Sequence, residues 1–515
     1  MKKLKQLIIP SVLIVFAMGN YGCTDKFDEL NTDKTKLTTL DASGVGNAFA
    51  AAQYRSVSAS WQIYQSLFGD LQSQYFATTA VNFPSDRNVM VGNWLNGAWN
   101  GFYGNAIPPI LGVLDNTKPG GPSENPAIFA IANIWKVQMF LPRTDYWGAI
   151  PYSKVGNGAK TVEYDSQESI YRDFLVVLKK SAADLAAFKG KNVLGNNDQI
   201  YDGNVDKWIL FANTLRLRIA MRMSKVDPAT AKTEAESAVA GGVLNTNADD
   251  GFLKVTTNSL NPMAQTTAWN EFRMSASMES VLKGYNDPRI SKFFAPVPGT
   301  TTYKGLRNGY SQAELGLPEN APVANSNVAN AFLPDNMFTT PFGVMMAAES
   351  HFLRAEGALN GWNMGGGTAK DFYESGINVA MRQWGINDAT AIASYTAGST
   401  LPTALADKVK TPALSDIPVR WASAASKQRE QILTQKWLAL YPNGLEAWAE
   451  YRRTGFPKLY PRINSENPDV PANSVVRRTP YVIGEQNTNK AGVESGISKL
   501  GGADNAATRL WWDKQ

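Results

Sequence analysis

The chain has 515 residues, with 50 Lys and Arg against 45 Asp and Glu, one His and one Cys. A balance this near neutral gives no electrostatic footprint for nucleic acid. A lone cysteine excludes an intramolecular disulfide, and a single histidine leaves histidine or thiol catalysis without a second component. Apolar residues make up 44% of the chain, enough for a sizeable core that must hold the fold by itself.

Lys2, Lys3 and Lys5 precede an apolar run from Leu7 to Met18, the length of a secretory signal core and too short to span a membrane. Gly22 then stands before Cys23, the arrangement that signal peptidase cleavage turns into an acylated N-terminal cysteine, although the usual upstream Leu is missing. Residues 1–22 are therefore expected to be a lipoprotein signal peptide, Cys23 the lipid attachment, and residues 23–42 an extended polar leader. Removing the signal takes away three lysines and no acid, moving the charge further toward neutrality. Residues 43–515 are expected to form one domain.

From Ala50 onward the apolar period is helical. Ile170, Phe174, Val177 and Leu185 share a face, with Asp165 and Glu168 spaced as a capping box. Trp208, Ala212, Leu215 and Ile219 make a second stripe, flanked by Arg216 and Arg218 and ended by Asp227-Pro228. The clearest pair follows: Met345, Ala348, Phe352, Ala355 and Leu359, a glycine-rich break over 360–367, then Thr368 and Asp371 capping a stripe of Ala369, Tyr373, Gly376, Ala380 and Trp384. Small residues where two antiparallel helices cross indicate a degenerate tetratricopeptide-like unit. A further pair is expected at 429–441 and 445–452, parted by Pro442-Asn443-Gly444. Long segments at 76–96, 245–270, 296–340 and 386–420 lack either period, and loops of that length tend to carry function.

His351 lies two residues after Glu349 and five before Glu356, spacings that put neither carboxylate beside it on the helix, so it is expected to be structural. Asn245, Asn247 and Asp249 resemble the start of a calcium loop, but Asp250 stands where that loop requires glycine, and no metal or cofactor is expected. Glycoside hydrolysis needs only two carboxylates, yet no pair is singled out; Glu446, near Trp448, is expected at a helix surface or in an ion pair. Flat aromatic rings bury the C–H faces of sugars at little entropic cost. Trp99, Phe102 and Tyr103, at three-to-four spacing, are expected to pack inside, whereas Trp94, Trp269, Tyr303 and Tyr310 are the candidates for ligand contact.

Seven strings, taken in order, resemble the SusD/RagB family of outer-membrane nutrient-binding lipoproteins, in particular its divergent SusD-like branch. They are 23–31 (CTDKFDELN), 145–152 (DYWGAIPY), 208–223 (WILFANTLRLRIAMRM), 286–290 (NDPRI), 349–362 (ESHFLRAEGALNGW), 432–457 (ILTQKWLALYPNGLEAWAEYRRTGFP) and 477–489, where Arg478, Tyr481, Glu485 and Asn487 echo a family segment. Val482 replaces the family's proline after the aromatic. The resemblance implies an all-α, tetratricopeptide-like scaffold of about four helix pairs, tethered to the outer membrane and facing the exterior. It also implies a partner, a SusC-type TonB-dependent β-barrel transporter that the lipoprotein covers as a lid. By the same resemblance Arg452 and Arg453 close a helix end, and the long loops hold an oligosaccharide or oligopeptide without catalysis. A surface-anchored glycosidase or peptidase is the alternative.

Overall fold

A computed structural model describes residues 40–407 and 410–514, so the signal segment, Cys23 and residues 23–39 of the leader lie outside the described residues. Among the described residues the longer helices are α1 (Ala42–Ser58), α2 (Gly92–Asn100), α3 (Ile107–Thr117), α4 (Pro126–Trp147), α5 (Gln167–Leu185), α6 (Val205–Met223) and α7 (Pro228–Ala240). They continue with α8 (Pro262–Thr267), α9 (Ala276–Gly284), α10 (Ala347–Leu359), α11 (Ala369–Gln383), α12 (Ala389–Thr396), α13 (Ala425–Leu440), α14 (Gly444–Thr454) and α15 (Lys490–Ser498). Among the described residues, strands are confined to two short antiparallel ribbons, β1 (Phe76–Thr78) with β3 (Phe272–Met274) and β2 (Gly251–Leu253) with β4 (Phe342–Met345). The fold is all-α in architecture, as expected.

Helices α4/α5, α6/α7, α10/α11 and α13/α14 form successive hairpins, with α5 against α6, α6 against α10 and α10 against α13. The stripes read from sequence lie on the packed faces of three of these hairpins, with Val177, Leu359, Ala369 and Trp384 only partly buried at their margins. Trp208, Ala212, Leu215 and Ile219 are fully buried in α6, each large side chain contributing roughly 1.5–3 kcal/mol. The α10/α11 crossing follows from Gly376: a Cβ there would sit 2.8 Å from the Phe352 ring, so only glycine allows this approach. Thr368 and Asp371 form the expected reciprocal cap.

Three local expectations are corrected. Ser166, not Asp165, caps α5, because Asp165 joins Ile150 in a β-bridge and accepts from the Tyr152 and Ser153 amides. Asp227-Pro228 follows the end of α6 and also opens α7: Asp227 accepts from the Thr230 amide and Pro228 takes the first helical position. Met345 belongs to β4 and precedes α10.

A buried ionic seam runs through the hairpins. Arg218 and Arg222, four apart on α6, face inward. Arg218 makes a two-pronged pair with Glu349 of α10 at 2.5 and 2.7 Å. Arg222 reaches Asp145 of α4 at 3.0 Å, Glu450 of α14 at 3.2 Å, and Glu446. Lys436 of α13 lies 2.9 Å from Glu450, and Arg453 pairs with Glu356 at 2.6 Å and Glu450 at 2.7 Å. All are buried. Burial pushes the Glu446 carboxyl up, whereas Arg453, Lys436 and Arg222 overcome burial at Glu450 and hold it well below the usual range. Arg453 is thus an interior ion-pair residue and not a cation decorating a helix end. Arg452 is equally buried, its guanidinium 3.3 Å from the centre of the Trp448 ring and donating to the carbonyls of Asp145 and Arg477.

Candidate ligand-binding cleft

The long insertions between hairpins form a second layer of short turns. Irregular backbone leaves amides and carbonyls without ladder partners, and burying them unpaired is costly. Here arginine side chains supply partners. Arg87 donates to the carbonyls of Phe83 at 3.4 Å and Tyr310 at 3.3 Å and pairs with Glu466 at 2.5 Å, tying three loops together. Arg273 donates to the carbonyls of Pro322 and Phe272 and to the Asn270 side chain. Arg462 donates to the carbonyls of Asp86 and Leu71. Asn308 links Phe76, Asp86 and Ser275 beneath them. Burial lowers Arg273 to about 10, and lowers Arg462 in spite of the nearby Asp86.

This layer encloses a cleft of about 510 Å³ between α9, residues 302–320 and residues 405–407. Tyr303 and Tyr310 both line it, with Leu306, Leu317 and Leu405 as further apolar surface and Lys283, Lys304, Arg307, Glu279, Glu314 and Asp407 as polar groups. The polar groups are held in place. Glu279 accepts from Lys283 at 2.8 Å and from the Gly305 amide at 2.7 Å. Arg307 bonds to the Thr411 hydroxyl at 2.7 Å and the Pro461 carbonyl at 3.0 Å and lies over the Tyr460 ring, leaving Nε without a partner. Glu314 takes the Ser311 amide and hydroxyl and the Asn464 side chain, which keep its carboxyl below its ordinary value despite burial. Burial raises both tyrosines, so they present neutral hydroxyls at physiological pH. Half-buried rings beside fixed donors and acceptors suit a ligand with apolar faces and a hydroxylated rim.

The sequence candidates divide. Tyr303 and Tyr310 share the cleft. Trp94 lies on α2 and not in a loop, its ring edge-on to Phe83 at 5.1 Å. Trp269 is 47% exposed on the turn after α8, beside Asn270. Neither lines the cleft. Trp99 and Phe102 are buried, and Tyr103 packs against Trp99 at 4.6 Å, as their spacing predicts. Arg307 and Asp407 were not singled out from sequence, because nothing local marks an arginine whose partners lie 104 and 154 residues away.

His351 is buried in α10, with Nε2 2.9 Å from the Asn245 carbonyl and its pKa lowered by burial. Its neighbours are engaged elsewhere, Glu349 with Arg218 and Glu356 with Arg453. Asp249 accepts from Thr246 and Asn245 amides, and Asp250 accepts from the Ala347 amide at 2.7 Å. Among the described residues no three His, Cys, Asp or Glu side chains gather as a metal site, and no helix is long and apolar enough to cross a membrane.

Comparison with known proteins supplies the lineage. No curated protein matches the chain at significant similarity. A chitin-binding SusD homologue from Flavobacterium johnsoniae is 35% identical with a TM-score of 0.83, over 92% of this chain and 98% of that one. A SusD homologue from Bacteroides uniformis is 34% identical with a TM-score of 0.81, over 92% and 100% of the two chains. One from Bacteroides vulgatus is 31% identical with a TM-score of 0.82, over 90% and 97%. The model of the SusD-like family, described as SusD and RagB outer membrane lipoprotein, matches residues 28–513, and the chain belongs to that family.

Proposed function

We propose that this protein is a non-catalytic surface lipoprotein that captures an oligosaccharide, with chitooligosaccharides the first class to test, in the cleft lined by Tyr303 and Tyr310. The observation that carries the reading is the pairing of two tyrosine rings with fixed polar groups in a cleft of about 510 Å³; the 35% identity to a chitin-binding homologue supports the ligand class. Trp94 and Trp269 stand outside that cleft as accessory contacts. Residues 1–22 are cleaved as a signal, Cys23 carries the acyl chains, residues 23–42 hold the body off the outer membrane, and residues 43–515 act as one unit. From there the ligand passes to a SusC-type TonB-dependent barrel, the local concentration at its mouth raised by tethering.

Calorimetry with a chitooligosaccharide series and a peptide library tests the ligand. Saturable binding of glycan, weakened roughly tenfold by Tyr303→Ala with the melting temperature kept, supports the cleft; peptide binding alone rejects the glycan. Product release from the same oligosaccharides would replace this reading with a surface glycosidase. Cys23→Ala should release folded protein from washed membranes. Co-purification with a barrel from solubilised outer membrane tests the partner.

A further inference from the structure

Glu314 stands apart among the carboxylates of the tyrosine cleft. Glu279 is matched by Lys283 at 2.8 Å, Asp407 faces Arg307 at 3.9 Å, and Glu319 is engaged as well. Lys304 donates to the Glu319 carbonyl at 2.6 Å. Glu314 lines the same wall and is partly exposed, yet no lysine or arginine of the described residues pairs with it. Its side-chain donors are all neutral and all fall on one oxygen. Oε2 accepts from the Ser311 amide at 2.8 Å, the Ser311 hydroxyl at 2.7 Å and the Asn464 side chain at 2.8 Å, while Oε1 accepts from no described residue. Burial pushes the carboxyl up, but these bonds outweigh it and hold it below its ordinary value, so it is ionised at neutral pH. The reciprocal cap with Ser311 fixes it in place. Tyr310 is close by: after burial and Arg307, the charges of Asp407 and Glu314 act on its hydroxyl.

A fixed carboxylate with one free oxygen, no counter-cation and a tyrosine ring beside it is a receptor for a cation. A sugar acid would meet a like charge, a hydroxyl would gain an ordinary hydrogen bond, and an ammonium would gain the stronger, charge-assisted one. The aromatic face adds cation–π attraction. Lys283 and Arg307 do not oppose this, because Glu279 and Asp407 already answer their charges.

We propose that Glu314 is the specificity-determining residue of the cleft and selects an amino sugar, whose ammonium it takes through Oε1 while the sugar's C–H faces lie on Tyr303 and Tyr310. This rests on the glycan reading and names the sugar within it. Calorimetry at about pH 5.5, where Glu314 and the sugar amine are both charged, compares a glucosamine tetrasaccharide with its N-acetylated counterpart. The amino form should bind about tenfold more tightly. Glu314→Gln keeps the cap, since a glutamine carbonyl can take the Ser311 and Asn464 donors, and turns an NH2 toward the cleft. A hydroxyl or an acetamide can accept from that group, whereas an ammonium cannot. The variant should therefore lose about tenfold for the amino form and stay within about twofold for the acetylated form. An amino form that binds no better than the acetylated one, or equal losses on Glu314→Gln, overturns this proposal alone so long as Tyr303→Ala weakens both sugars. Binding of neither sugar overturns the glycan reading with it. If Glu314→Gln lowers the melting temperature, salt raised from about 50 to about 500 mM decides the matter in the unaltered protein: a preference for the amino form that shrinks toward parity upholds the charge contact, and one that stays constant overturns it.

Discussion

Two sets of buried arginines, one in each layer of this molecule, do opposite jobs. In the helical hairpins Arg218, Arg222 and Arg453 meet full carboxylates from other hairpins, and their pKa values rise. In the loop layer Arg273 and Arg462 meet mostly carbonyl dipoles, and burial lowers them. A carboxylate returns the desolvation cost of a buried cation through charge, whereas carbonyls return it through hydrogen bonds that irregular backbone needs in any case. Arg452 of α14 falls on the carbonyl side of this contrast, donating to the Asp145 and Arg477 carbonyls and lowered by burial to about 9, so the partner and not the element sets the direction.

The contrast can be broken at its strongest point first. Arg222→Met leaves Asp145 without its cation, Glu446 with Arg218 alone at 3.8 Å and Glu450 with Lys436 and Arg453, and should cost about 3–5 kcal/mol in urea unfolding. Next comes Asp250, where the layers join through the Ala347 amide. Burial raises its carboxyl to about 6, against the Ala347 and Asn247 hydrogen bonds that lower it. Between roughly pH 4 and 6 the folded state therefore binds more protons than the unfolded state, and this group's contribution to stability falls as pH rises. Asp250→Asn should remove up to about 3 kcal/mol of that pH dependence, read as the difference between the two urea-stability profiles.

Arg273→Met probes the loop layer. It should cost about 1–2 kcal/mol, with faster hydrogen exchange confined to residues 270–274 and 322–326, the segments this side chain ties together. A global loss as large as that of Arg222→Met would erase the distinction between layers. Smallest in stability is Tyr303→Ala, whose half-buried ring packs at the edge of the core, expected at about 1 kcal/mol, so that a larger effect on glycan affinity reports contact and not folding.

What the sequence disclosed follows the same division. The α10/α11 hairpin was legible because its stripe, its Thr368–Asp371 cap and Gly376 are all local signals. The ionic seam was not, since an arginine beside an apolar stripe looks alike whether it faces water or a glutamate 131 residues away. Helix α7 escaped notice because its buried face is alanine, which gives little apolar contrast. In the loop layer the aromatic candidates were visible, but Trp94 sits on a helix while Tyr303 and Tyr310 line one cleft whose wall is completed by residues 405–407, a proximity no short-range pattern encodes.

The seam also limits how the scaffold could change. Its hairpins are not interchangeable modules: α6 contributes cations, α10 acids, and α14 both. Deleting one hairpin or inserting a copy would strand an interior charge, so the stack is locked in number and order like the wards of a key. That lock also accounts for the faded sequence period, because units that must each carry a different charge cannot stay alike.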